Sequence, residues 1–164
     1  MIDRLLRWVD TCSKVSAYLS ALAMLLIVTL ILVEISARTF FNTSTLISDE
    51  YSGYLMVALI MLGLSHTLGE GSHIRITILA EYLKGRPAQV LELVVTLAAL
   101  ALGLFAFYHA MLMVQDTFKY DILADSLSET PLYLPQIFIP LGLLLLNLQL
   151  LAHFLRRLLS SPTP

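Results

Sequence analysis

The residues of this chain whose types and spacing look most like chemistry lie in Gly-Glu-Gly-Ser-His-Ile-Arg-Ile, residues 69–76. Glu70 and His73 form an E-x-x-H pair, and His66 stands four residues before the glutamate. Carboxylate-bridged di-iron bundles carry such a pair on each of two helices, with a further carboxylate from each of two others. Here there is one copy, and Gly69 and Gly71 flank its glutamate. Glycines that close together favour a turn over the continuous helix a metal site needs. Haem ligation needs two histidines at one height in the membrane. His66 and His109 fall towards opposite ends of their spans, whereas His66 and His153 fall towards the same end. A four-helix membrane cytochrome b or a quinone-linked anchor subunit, using His66 and His153, therefore stays open as an alternative. Glu34 and Arg38 are spaced i, i+4 with the acid first, the better order on a helix. They read either as a local ion pair or as an interface element, because an acid within a span is a functional candidate by default. The sequence carries no P-loop, no paired carboxylates and no nucleophile–base set. No catalytic residue, metal or cofactor is predicted.

The elements that hold these residues follow from composition. Of 164 residues 58% are hydrophobic and 13% charged, against about 25% charged in soluble domains. The mean hydropathy is +0.83. A soluble domain of this size cannot hide so much apolar surface, so the expected solvent is lipid. The net charge of −2 gives no reason to expect a nucleic-acid partner, and the lone Cys12 allows no internal disulfide. Charged residues are missing from 15–33, 51–69, 93–115 and 130–155, runs of 19, 19, 23 and 26 residues. About 20 apolar residues in a helix cross a ~30 Å hydrocarbon core. The prediction is an all-α integral membrane protein, one domain of four transmembrane helices over roughly 15–38, 50–69, 89–115 and 131–155. Residues 156–164 form a short tail. The first run is too long for a signal-peptide core and is expected to stay in the mature protein.

Eight of the ten Lys and Arg residues lie in the N-terminus, the middle loop or the C-terminus, and only Arg38 and Lys119 lie in the other two loops. The positive-inside rule then places both termini in the cytoplasm. Residues 2–12 read as an amphipathic helix on the inner surface or as an inward extension of the first span. Residues 77–84 form a second, similar piece. Ser48 or Asp49 is a candidate cap for the second span. Phe40, Phe41, Tyr51 and Tyr54 stand where an aromatic belt would be. The second outer loop carries Asp116, Asp121, Asp125 and Glu129, a solvated surface or a docking face. Ala99/Gly103 and Ala106/Ala110 are small-xxx-small pairs for close packing on neighbouring faces. Pro140, followed by Gly142, is expected to kink the fourth span. Asn147 and Gln149 are read as inter-helix hydrogen-bonding residues in preference to solute contacts. The bilayer centre of every span is Leu, Ile, Val, Met and Ala, without the polar midplane site a secondary transporter requires. The residues alone describe a membrane scaffold or accessory subunit.

The order of several segments adds to this. Span one ends in E-I-S-A-R-T-F-F-N-T-S, D-E precedes span two, and L-G-L-S-H-T-L-G-E-G-S-H-I-R-I and S-E-T-P-L-Y-L-P-Q-I-F-I-P-L-G follow. Over nearly the whole chain this resembles the small membrane subunit, Q-type or DctQ-like, of the tripartite ATP-independent periplasmic (TRAP) transporters of bacteria and archaea. The resemblance implies a non-catalytic inner-membrane subunit in a stable heterodimer with a large membrane subunit. That partner would hold the substrate and sodium sites and move as an elevator. A periplasmic solute-binding protein would deliver an organic acid, such as a sialic acid or a C4-dicarboxylate, and touch the outer loops transiently. By motif the resemblance carries Glu34, Arg38, Asn42, Glu50, Gly63, Gly69, His73 and Pro140 as interface or structural candidates. On this reading residues 69–76 form the inner turn after span two. His73 and Arg75 would lie at headgroup level, fixing the loop, touching the partner or, for Arg75, meeting anionic phospholipid.

Overall fold

A computed structural model describes residues 2–45, 47–70, 86–126 and 128–159. The chain forms α1 (Ile2–Phe41), α2 (Ser48–Gly69), α3 (Arg86–Lys119), a four-residue α4 (Tyr133–Gln136) and α5 (Phe138–Leu159). Four stretches of these helices are long and apolar enough to cross a membrane. Lipid offers backbone groups no hydrogen bonds, so apolar runs of this length must satisfy themselves as helices. At 1.5 Å per residue, α1 is about 60 Å long and α3 about 51 Å, both well beyond a ~30 Å core. Residues 2–12 belong to the same helix as the first span and continue it without a break. The second amphipathic piece, 77–84, lies outside the described residues, as do His73 and Arg75.

The helices are arranged in the order α1, α2, α5, α3. The main packed surfaces are α1 on α2, α2 on α5, and α5 on α3. α1 meets α5 in a smaller patch near the chain termini, where Leu6 and Val9 pack with Ala152 and Leu148. α1 and α3 are therefore the edges of a slab, and α2 and α5 its centre.

Small and hydroxylated residues make the seams. Ser13, Ser16 and Ala23 of α1 are buried, as are Ala58, Leu62 and Ser65 of α2. Ser65 is fully buried, with its hydroxyl 3.1 Å from that of Ser16 and 3.3 Å from that of Ser13. Ser20 donates to the carbonyl of Leu59 at 2.7 Å. Along α3, Thr96, Ala110 and Thr117 are buried, Ala99 and Ala106 are half-buried, and Gly103 lies against the Asn147 carboxamide of α5. Positions 96, 99, 103, 106 and 110 repeat every three or four residues, and 117 follows two turns on. The two small-xxx-small pairs therefore share one stripe instead of occupying neighbouring faces.

Pro140 sits in the first turn of α5, and the break between α4 and α5 falls at Ile137. A proline ring crowds the carbonyl four residues earlier, here that of Gln136, and has no N–H to offer it. The interruption thus falls one turn before the proline. Neither Ser48 nor Asp49 caps α2: the residue before the helix is Ile47, and no side chain closes that end. The nearby Ser44 and Thr45 hydroxyls bond Glu34 instead.

Gly142 marks the tightest approach between the central helices. A Cβ there would overlap the carbonyl oxygen of Met61 and come within 2.6 Å of its carbon. Backbone cannot rotate aside as a side chain can. Gly142→Ala is therefore expected to cost about 1–3 kcal/mol, read as a lower unfolding midpoint in detergent. Gly53→Ala is the control, since its Cβ meets nothing within 4 Å, and it should leave stability equal or slightly raised.

Candidate functional site

Two polar clusters lie at the ends of the slab, and one of them holds Glu34, Arg38 and Glu50. At the end away from the termini, Asn42 leaves α1 with a left-handed backbone, φ 45°. Asparagine tolerates that conformation better than most residues. The turn brings Ser44 and Thr45 back onto α1. Glu34, 6% exposed, accepts from Arg38 Nε and Ser44 Oγ, each at 2.6 Å, from the Thr45 N–H at 3.1 Å, and from the Thr45 hydroxyl. Both oxygens are occupied, so this carboxylate is a structural clamp on the loop between α1 and α2. The Arg38 side chain is 56% exposed, and Asn42, Phe40 and Phe41 are exposed beside it.

Glu50 makes a second clamp at the same end. It accepts from Tyr54 at 2.6 Å and from Ser128 at 2.7 Å, and Ser128 lies 2.7 Å from Thr130. The Tyr51 hydroxyl lies 3.2 Å from that of Thr130. The start of α2 is thereby tied to the loop between α3 and α4. Ala124 and Thr130 share a backbone hydrogen bond of 2.9 Å within that loop, and Leu132 and Ile122 one of 3.1 Å. Asp116, Asp121, Asp125 and Glu129 are all exposed.

At the end that carries the termini, the last turns of α5 hold both edges of the slab. Arg156 reaches Asp10 of α1 at 2.6 Å, and Arg157 reaches Glu92 of α3 at 2.9 Å. Gln149 donates to Asp10 at 3.4 Å, and His153 lies 3.3 Å from Glu92. Sequence reasoning assigned Asp10, Glu92, Arg156 and Arg157 no pairing. A signal was present, because adjacent residues on a helix point about 100° apart and so reach different neighbours.

The seven interface or structural candidates among the described residues are thus dispersed. Glu34, Arg38, Asn42 and Glu50 gather at one end. Gly63 lies within α2 with Ser20 packed 3.2 Å from its Cβ position, Gly69 ends α2 beside Gln149, and Pro140 opens α5. Of the histidines, His153 is engaged with Glu92, His66 lies near the end of α2, and His109 is exposed on α3 between Phe105 and Tyr108. Asn147 donates to Leu143 of its own helix at 2.7 Å. Its inter-helix role is therefore packing against Gly103, and Gln149 alone of the two bonds another helix.

Residues 24–160 match the family model described as tripartite ATP-independent periplasmic transporters, DctQ component. The chain belongs to this family. Two curated relatives agree. The ectoine TRAP transporter small permease protein TeaB of Halomonas elongata is 24% identical over 93% of this chain and 79% of its own length. A putative TRAP transporter small permease protein of Haemophilus influenzae is 25% identical over 74% of this chain and 73% of its own length. The chain is therefore a small permease subunit of a TRAP transporter, a multi-pass inner-membrane protein. Membership implies a complex with a large membrane subunit and a binding protein. It places the chain with transporters and leaves the cytochrome reading without a supporting observation.

The Glu34 clamp on the loop between α1 and α2 can be tested directly in this DctQ subunit. Glu34→Ala removes the acceptor of the Thr45 amide. Hydrogen exchange over 42–45 should then rise about tenfold or more, with α2 and α5 little changed.

Proposed function

We propose that this DctQ subunit is a static brace for the large membrane subunit, both termini in the cytoplasm, and takes no part in solute binding. The observation that carries this reading is the slab itself. Four spans lie side by side, and among the described residues no helix is broken near mid-membrane and no polar path runs across. A solute or ion pathway normally needs unwound helix and polar lining at that depth. The substrate and sodium sites, and the elevator movement, belong on this reading to the large subunit. The solute would be an organic acid presented by the binding protein. TeaB is named for ectoine, which fits a small carboxylate-bearing solute without specifying this one.

Glu34 and Glu50 support the brace by fixing the outer loops, and the exposed Arg38, Asn42, Phe40 and Phe41 form the rim offered to a partner. An exposed aromatic pair beside an arginine has the composition of an interface hot spot. Gly63, Gly69 and Pro140 shape the spans behind that rim. The proposed roles of His73 and Arg75 are anchoring of the inner turn and contact with partner or lipid.

The experiment is purification of the tagged chain from its native membrane in mild detergent. A much larger polytopic membrane protein should accompany it at one-to-one stoichiometry. In vesicles with the binding protein, sodium-driven uptake of an organic acid should require both membrane chains. Arg38→Ala combined with Phe41→Ala should weaken the association about tenfold while leaving the chain folded. Recovery of this chain alone would overturn the brace, and a haem spectrum abolished by His153→Ala would favour the cytochrome.

A further inference from the structure

A polar cavity and an apolar groove lie next to one another between α1 and α2, with His66 in the wall of both. The cavity, about 190 Å³, lies at the end that carries the termini and is lined by Asp10, Ser13, Lys14, His66, Gly69, Glu70, Gln149 and Arg156. A single water needs only about 10–15 Å³ of such space. The groove, about 260 Å³, lies along Ala17, Ala21, Met24, Leu59 and Gly63. On α1 the lining positions 10, 13, 14, 17, 20, 21 and 24 form one stripe of helical spacing. On α2 positions 59, 63, 66, 67 and 70 do the same.

The dimensions and chemistry of this track suit one kind of molecule. From Asp10 to Met24 is about 21 Å of helix, close to half of a ~40–45 Å bilayer with its headgroups. Its wall changes from charged to apolar along that length, as one leaflet does. Asp10 and Arg156 engage each other. Among the described residues, neither the Glu70 carboxylate nor the Lys14 ammonium is hydrogen-bonded; Lys14 acts on Asp10 electrostatically, so the Asp10, Lys14 and Arg156 group brings a net positive charge to the cavity and Glu70 a negative one. Gln149 is 3% exposed, and its carbonyl oxygen has no hydrogen-bond partner there. The groove lies between helices that already touch through Ser20 and Leu59, and cannot take a partner helix 10–12 Å across. We propose that the track is a specific site for one phospholipid of the leaflet beside the termini, with a zwitterionic, amine-bearing headgroup. Its ammonium faces Glu70 and the Gln149 carbonyl, its phosphate faces Lys14 and His66, and one acyl chain follows Ala17, Ala21 and Met24.

This inference rests on the chain's own helices and stands apart from the bracing role. The test is native mass spectrometry of the full-length chain, with whatever subunit accompanies it, delipidated and titrated with phosphatidylethanolamine or phosphatidylglycerol. The expected result is one phosphatidylethanolamine held about tenfold more tightly than phosphatidylglycerol. Ala21→Phe, at an exposed position in the groove, should remove that one molecule, whereas Leu25→Phe, outside the lining, should keep it. Glu70→Gln, an exposed substitution that leaves the helix contacts intact, should abolish the headgroup preference. Equal retention of the two lipids by the wild type, or unchanged binding in both Ala21→Phe and Glu70→Gln, would overturn the proposal.

Discussion

The constraint on which this structure depends is that lipid gives helices no hydrophobic reason to associate. Apolar side chains are as well solvated by acyl chains as by one another, so the spans must cohere through close contact and hydrogen bonds. The central pair, α2 and α5, meets where Gly142 lets its backbone lie against Met61. α1 joins α2 through Ser13, Ser16, Ser20 and Ser65, and α3 joins α5 through a stripe that includes Gly103. None of these seams uses a large buried aliphatic cluster. The many exposed leucines, isoleucines and valines face outward, where lipid or a partner solvates them.

The polar clusters at the two ends do a different task. α1 and α3 are edges that barely meet, and the pairs Asp10–Arg156 and Glu92–Arg157 tie both to the last turns of α5. At the other end the carboxylates of Glu34 and Glu50 gather the connecting loops. Each cluster lies near a membrane boundary, where water competes. Their value is chiefly geometric, since pairs as exposed as Arg156 and Asp10 contribute no more than about 1 kcal/mol. A slab fixed at its ends and closely packed at its centre is a stiff element, as a brace requires.

Much of this was legible in the sequence. The four charge-free runs located the spans because lipid excludes charge and open backbone alike. The order of motifs along the chain gave the family. The i, i+4 pair Glu34–Arg38 was visible because its geometry is local to one helix. The remaining ligands of Glu34 were not, since Ser44 and Thr45 reach it only after Asn42 turns the chain. Nor was the tie from Glu50 to Ser128, 78 residues away. Pro140 was expected to kink the fourth span, but the position of the break at Ile137 depends on a carbonyl four residues earlier. The two small-residue pairs of α3 were placed on neighbouring faces although their spacing of three and four residues already puts them on one stripe. Asp10 and Glu92 had no part in the topology, which rested on Lys and Arg, and their partners on α5 follow from how the helices are arranged.

The central claim is that this subunit stays rigid while solute moves through its partner. The most direct test is to fix α1 to α2 covalently. Ser16→Cys and Ser65→Cys, in a background with Cys12→Ser, place thiols where the hydroxyls lie 3.1 Å apart. The pair is oxidised in vesicles that contain the assembled transporter and its binding protein. Sodium-driven uptake should persist at the rate of the reduced sample. Uptake abolished by the disulfide and restored by its reduction would show that α1 and α2 move during transport, and would contradict the brace.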